Sequence, residues 1–259
     1  MAKAAWICGV SLCVCVFVIP PAAAQDAAAQ IKAAQYALGM IRGPQRIDAI
    51  NTIEYWGTGH AQQPPAMVTY HVSLSYLTPA MRVDVKRSNP DVRQIQVVNG
   101  SFAWNESVPG AGFIPGTTAM PAPGTVKDRL LQLWSTPHGA LKAAERAGSN
   151  AKVRNENGAT VITFPLAGPL SGTTMNVTLN SKNQVEKVET RTGDTVTETT
   201  YSDYKDLGEI QSDVLFPSHI VQRQGGVSVL DLTITKTDTN NPYVVFPVPE
   251  NVEKGRENE

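Results

Sequence analysis

Val97-Val98-Asn99-Gly100-Ser101-Phe102-Ala103-Trp104 decides how the rest of the chain is read. Apolar residues flank Asn99-Gly100, a dipeptide that marks a tight hairpin because both positions tolerate positive φ. After this hairpin comes an 18-residue loop, Ser107 to Gly124, that carries Phe113, Ile114 and Met120. Loops beyond about 12–15 residues are usually functional or disordered, and this apolar content argues against a solvated linker. Val126 to Ser135 and His138 to Ala147 then read as two helices, split at Thr136-Pro137 because proline disfavours helix in the residue before it. Leu130, Leu133, Trp134 and Leu141 give these helices an apolar face wide enough to cover a sheet. That face equally suits a mobile lid and ordinary core packing.

On either side of this segment the apolar period is two. Val68, Tyr70, Val72, Leu74 and Tyr76 alternate with Thr69, His71, Ser73 and Ser75, so one face of that strand is dry and the other wet. Strands are expected at Thr52–His60, Met67–Leu77, Ala80–Arg87 and Val92–Val98 before the helices. After them come Ala151–Asn155, Ala159–Leu166, Thr173–Asn180, Gln184–Arg191, Thr195–Asp206, Leu215–Gln222 and Val227–Asp238. Asn157-Gly158, Gly193-Asp194 and Gly225-Gly226 mark turns between them. Roughly a dozen antiparallel strands cannot lie flat, because twist accumulates and large open sheets curl. The expected fold is mainly β with a few helices, a large curved antiparallel sheet forming a half-open barrel covered by a helical lid. Asp26 to Ile41 reads as an initial helix, with Ile31, Ala34 and Leu38 at helical spacing.

The ends of the chain carry different signals. Residues 1–24 have a basic start at Lys3, a 14-residue apolar run from Trp6 to Ile19, and the small residues Ala22-Ala23-Ala24. This is the pattern of a cleavable secretory signal, shorter than the roughly 20 residues of a membrane span. Cys8, Cys13 and Cys15 all fall inside it, so the mature chain has no thiol for disulfides or thiol catalysis. Without Lys3, 21 of the 22 basic residues remain against 23 acidic ones, which provides no basic face for nucleic acid. The expected organisation is a signal peptide over 1–24, one domain over 25–249 and a charged, frayed tail over 250–259, in a periplasmic protein.

Catalytic patterns do not stand out. His60, His71, His138 and His219 are scattered, although His60 and His71 fall on neighbouring strands. None has metal-ligand spacing with a second ligand, and Gly168-Pro169-Leu170-Ser171-Gly172 lacks the spacing of a nucleophile elbow. The expectation is a protein without enzymatic activity, metal or cofactor.

Several stretches resemble the periplasmic outer-membrane lipoprotein carriers (LolA/LolB-like, lipoprotein-sorting). Tyr36-Ala37-Leu38-Gly39 followed by Ile50-Asn51-Thr52-Ile53 is similar to the family's opening helix and first strand. Val97 to Trp104 resembles its hairpin. Tyr201-Ser202-Asp203-Tyr204, leading to Phe216-Pro217-Ser218-His219-Ile220, resembles its late strands. Phe246-Pro247-Val248-Pro249-Glu250-Asn251-Val252 is similar to its closing motif. The resemblance implies an incomplete barrel whose lid encloses an apolar cavity for acyl chains. Leu74, Tyr76, Trp104, Phe113, Ile114, Met120, Leu130, Leu133 and Trp134, apolar groups on or next to the expected lid, are the candidate lining. The family's latch arginine, just before the strand-opening proline, is replaced by Thr78 before Pro79, with Arg82 three residues beyond. The expected ligand is therefore hydrophobic or lipid-like, without a commitment to lipoproteins. The alternative is an envelope interaction or sensory module with a filled barrel and a protein partner.

Overall fold

The computed structural model describes residues 27–42, 47–114 and 119–256. The expected signal peptide lies outside the described residues. Helix α1 (Ala27–Ala37) and a small hairpin, β1 (Ile41–Arg42) and β2 (Ile47–Asp48), precede the main sheet. The first run of strands is β3 (Thr52–Gln62), β4 (Pro65–Ser75), β5 (Ala80–Arg87), β6 (Val92–Asn99), β7 (Phe102–Glu106) and β8 (Met120–Pro121). Helices α2 (Val126–Trp134) and α3 (Pro137–Ala147) follow. The second run is β9 (Lys152–Glu156), β10 (Ala159–Pro165), β11 (Thr174–Leu179), β12 (Val185–Thr192), β13 (Thr195–Lys205), β14 (Phe216–Gln224) and β15 (Val227–Thr239). Helix α4 (Glu250–Arg256) comes last.

Each run is an up-and-down meander, and the two join through antiparallel pairing of β3 with β15 into one 13-stranded sheet. Its free edges are β8 and β9, so the sheet is open and unclosed. The helix pair stands between those edges in the sequence and in space. Helix α2 packs on β5, β6 and β7, and α3 packs on β10 and β12, so both arms of the sheet curl toward the same helices.

The helices meet at a sequence-encoded corner. Pro137 opens α3 and Thr136 caps it, accepting a hydrogen bond from the Gly139 amide at 3.3 Å. The Thr136 hydroxyl proton goes to the Leu133 carbonyl at 2.8 Å. The buried Tyr76 hydroxyl, 2.8 Å away, therefore donates to Thr136 Oγ1. Helix α1 docks on α3 through Lys32 Nζ and Gln35 Nε2, which donate to the two carboxylate oxygens of Glu145 at 2.8 and 2.7 Å.

Three local differences from the sequence reading have physical causes. In the β6–β7 hairpin Asn99 pairs with Phe102, so the turn is Gly100-Ser101 and only Gly100 takes positive φ. Asn99 Nδ2 instead donates to the Phe246 carbonyl at 2.8 Å. Second, residues 250–256, expected to be part of a frayed tail, form α4, with Val252 buried and Asn251 Nδ2 donating to the Ala119 carbonyl at 2.7 Å. A charged seven-residue helix is marginal alone and is held by such tertiary contacts.

The third difference concerns the loop. Alternate residues of a strand face opposite sides of the sheet. Ala103 therefore joins the main core under the helices, while Trp104 points the other way. On that outer face Trp104, Ile95 and Val97 form a second core with Ala111, Ala119, Phe246 and Val252. The loop after β7 and the C-terminal segment cover each other there, and a Cβ at Gly112 would lie 2.3 Å from the Pro247 carbonyl oxygen. The expected continuous lid is thus split. Helix α2 covers the inner face, and Ala111 and Ala119 anchor the loop to the outer one.

Candidate functional site

Helix α2 is the wall between two cavities, and its sequence provides a different face to each. Asp128, Leu131, Gln132 and Ser135, at helical spacing, line a cavity of about 400 Å³ toward β12–β15. Leu130 and Trp134 line a second cavity of about 280 Å³ on the far side, closed by α3 and the Pro165–Leu170 segment.

The second cavity is apolar. Ala143 and Ala147 of α3 keep it open where larger side chains would fill it, and Leu166 and Leu170 supply the opposite wall. Pro79 and Gly100 bring the other sheet arm to its rim, so it sits in the gap between the two arms. Its charged lining residue is Arg146, whose guanidinium lies 4.5 Å from the Trp134 ring centroid, within cation–π range. Arg146 Nη2 also donates to the Tyr76 carbonyl at 3.2 Å.

The first cavity has an apolar floor and a polar wall. Tyr201, Phe216, Ile220 and Leu232 form the floor. On the same inward-facing positions further along the strands stand Thr197 of β13, Gln222 and Gln224 of β14, and Gln96 of β6. Polar groups at positions where a sheet should feed its core are the informative exception to burial of apolar residues. Tyr201 is anchored by donating to the Ser135 carbonyl at 2.6 Å, and burial pushes its hydroxyl well above the usual tyrosine range. Burial likewise raises Tyr55 and Tyr70, which line the same cavity as neutral phenols.

Arg129 reaches from α2 into this cavity and is 6% exposed. Its Nη1 donates to the carbonyls of the opposed pair Val97 and Trp104 at 2.8 and 2.6 Å, and Nη2 donates to Asn105 Oδ1 at 2.7 Å. All three acceptors are neutral. Burial lowers its pKa from the usual guanidinium value, and a guanidinium stays charged in proteins.

The sequence-derived lining residues are dispersed. Leu130 and Trp134 line the apolar cavity. Leu74, Tyr76 and Leu133 are buried in the main core without lining either cavity, and Trp104 is buried in the outer core. Phe113, Ile114 and Met120 are exposed at 58%, 44% and 67%, on the loop and edge strand associated with the outer core. Arg129 and the inward-facing glutamines were not singled out from sequence. For Gln96, Gln222 and Gln224 the signal is a polar residue on the inward parity of a strand; for Arg129 it is a charge on the helix face turned to the sheet.

The histidines form no shared site. His60 pairs with Met67, whereas His71 pairs with Trp56 and stacks on it at 4.4 Å. Among the described residues no group of three or more His, Cys, Asp or Glu is placed to hold a metal ion. Glu54, His71 and Ser73 do cluster on the outer face. Their arrangement differs from a nucleophilic triad, because His71 Nε2 faces both Glu54 at 3.1 Å and Ser73 at 3.3 Å, while Ser73 donates directly to Glu54 at 2.7 Å. Burial would raise Glu54. The hydrogen bonds from His71, Ser73 and Asn241 outweigh it and hold the carboxyl at about 2. The cluster fastens the C-terminal segment to the sheet.

Among the described residues no helix is long and apolar enough to cross a membrane. No protein-family model matches the chain, and no curated protein matches it. Among solved structures it is similar to a chain in the complex of Pseudomonas aeruginosa MucA/MucB, at 10% sequence identity and a TM-score of 0.25. That comparison covers 87% of this chain and 60% of that one, so the chain spans about 60% of the neighbour's length.

Proposed function

We propose that this is a non-catalytic binding protein of the cell envelope that holds a hydrophobic or lipid-like ligand beside its helix pair. The observation that carries the reading is the apolar cavity between the sheet arms, with Leu130, Trp134, Ala143, Leu166 and Leu170 in its walls. An acyl chain needs no catalytic group, only apolar area and an opening, and each buried methylene contributes about 0.8 kcal/mol. At about 30 Å³ per water-sized group, a cavity of 280 Å³ takes about nine such groups. A longer chain must protrude through the opening or displace the Pro165–Leu170 segment. The signal-like residues 1–24 support delivery across the inner membrane, and the resemblance to lipoprotein carriers supports the ligand class. Thr78 in place of the family's latch argues for a ligand other than a lipoprotein.

The test is native mass spectrometry and Trp134 fluorescence with saturated fatty acids of increasing length. Affinity should rise about fourfold per methylene, as 0.8 kcal/mol implies, and level off near ten carbons. Ala147→Trp fills the cavity from its partly exposed rim and should weaken decanoate binding at least tenfold without unfolding the protein. An unliganded mass at every chain length would overturn the reading.

A second reading is favoured by the outer face. Phe113, Ile114, Tyr243 and Val245 are exposed apolar residues on the segments that cover the outer core. Such groups suit a protein partner of the envelope. A pull-down lost on Phe113→Ser with Tyr243→Ser, in a protein that binds no fatty acid, would favour this interaction module.

A further inference from the structure

Arg129 holds a buried positive charge that makes no ion pair among the described residues. Its three acceptors are uncharged oxygens, and no carboxylate of the described residues lies within 4 Å of it. Asp128, one residue earlier on α2, is exposed and makes no ion pair with it. A buried ion without a counter-charge is costly, by several kcal/mol after relaxation. A guanidinium has five N–H donors, and three of them are used. The two left are Nε–H and one Nη2–H. Guanidinium N–H donors of this kind receive the oxygens of a carboxylate or phosphate.

The cavity around Arg129 supplies a matching environment. The amides of Gln96, Gln132, Gln222 and Gln224 line it without a side-chain hydrogen-bond partner among the described residues. Amides and hydroxyls both donate and accept, as a polyol requires. Tyr55 and Tyr70 add aromatic rings to the wall, with hydroxyls that likewise have no hydrogen-bond partner among the described residues. The volume of about 400 Å³ lies in the range of small-molecule sites, about 300–1,000 Å³.

The geometry points to a second ligand site, distinct from the apolar cavity across α2, that binds a hydroxyl-rich small molecule bearing one carboxylate or phosphate, with the oxyanion on Arg129. An acyl chain is the wrong occupant for this side of the helix, because it would desolvate the half-buried, unpartnered amides of Gln96 and Gln222. The site stands whether or not the apolar cavity takes a lipid.

The experiment uses the whole protein with ¹⁵N-labelled arginine, following the Arg129 Nε–H resonance while adding D-glucuronate, glucose 1-phosphate, acetate or neutral glucose. Glucuronate or glucose 1-phosphate should shift that resonance saturably, and which of the two binds more tightly distinguishes the carboxylate from the phosphate. Acetate and glucose should bind at least tenfold more weakly, each having half of the required chemistry. Thr197→Val is isosteric and loses one hydroxyl of the wall, and should weaken binding about threefold to tenfold. Asp128→Asn removes the like charge beside the site and should tighten binding about threefold, an effect a purely structural Arg129 would not produce. Arg129→Gln should abolish the response; because it also removes a contact between α2 and the sheet, the two variants away from the arginine decide the matter if it fails to fold. An unmoved resonance with every anion overturns the proposal. Equal binding of glucose and glucuronate does so too, as does indifference to both Thr197→Val and Asp128→Asn.

Discussion

Gly59→Ala should lower the urea midpoint of unfolding by an amount corresponding to about 3 kcal/mol or more, at the severe end of overpacking effects. A Cβ at Gly59 would lie 1.9 Å from the Asp231 carbonyl oxygen and 2.9 Å from Leu232 Cα. These are backbone atoms of the facing strand and cannot rotate away. Gly57, two residues earlier on the same strand, is confined less tightly, with 2.7 Å to the Thr233 carbonyl oxygen and to Ile234 Cδ1. Both contacts fall on the β3–β15 pair, which also carries a bulge between Ile234 and Lys236. That pairing is the one place where the 13-stranded sheet joins strands that are not consecutive in sequence. Every other pair of the sheet is a local connection, or in the case of β7–β8 follows one loop. A methyl group at Gly59 therefore opens the seam that unites the two meanders. With folding stabilities usually between 5 and 15 kcal/mol, such a loss is a large fraction of the total. Gly124→Ala is the control, since nothing lies within 4 Å of its Cβ position, and it should change stability by less than about 0.5 kcal/mol. Equal midpoints for the two variants would show that the seam is not where the sheet is vulnerable.

That seam also marks what sequence reasoning reaches. The strands were legible because period-two alternation is local, as in Val68, Val72 and Leu74, all buried on one face of β4. The split between α2 and α3 was legible because Pro137 acts on its immediate neighbour. The partner of β3 was not, because the need for Gly57 and Gly59 arises from the carbonyls of a strand far along the chain. The outer core was hidden for a related reason. Val97 and Val98 are both fully buried, on opposite faces, and an apolar pair within a strand does not say which face has a covering. The family-like ending Phe246 to Val252 held the answer, since it lies against that second face. The polar cavity was not legible because which parity of β14 faces inward is set by elements distant in sequence. Gln222 and Gln224 share the inward parity of Ile220 on β14, a pattern readable once the inward parity is known.

His138 sets the expected pH dependence of the fold. Its side chain is fully buried at the start of α3, its ring stacked on Phe216 at 5.8 Å, and neither ring nitrogen has a hydrogen-bond partner among the described residues. Burial, with a smaller contribution from the nearby Lys142 ammonium, depresses its pKa to about 3 against a weaker opposing pull from the Leu38 backbone, which lies near the ring outside good hydrogen-bond geometry. In the unfolded chain a histidine titrates near 6.5. Between these values the unfolded state binds a proton that the folded state refuses, so stability rises with pH across the window and falls as the solution is acidified. At pH 5 the loss relative to pH 8 is about 2 kcal/mol from this residue alone, 1.36 kcal/mol for each unit below 6.5. Glu54 acts lower down. Its carboxyl is held at about 2, so its contribution is present above its usual value and lost as pH falls toward 2. The two groups therefore separate on the pH axis, and the decline between pH 6.5 and 5 belongs to His138. Replacing it by Phe, or by Met if the ring is too large, should flatten that part of the profile while leaving stability at pH 8 the same or higher, because two orphaned nitrogens leave the core with the imidazole. Urea midpoints at pH 5, 6 and 8 for both proteins decide it. A slope unchanged by the substitution would mean that the proton finds a partner in the folded core, and that α1 and α3 can part locally to admit it.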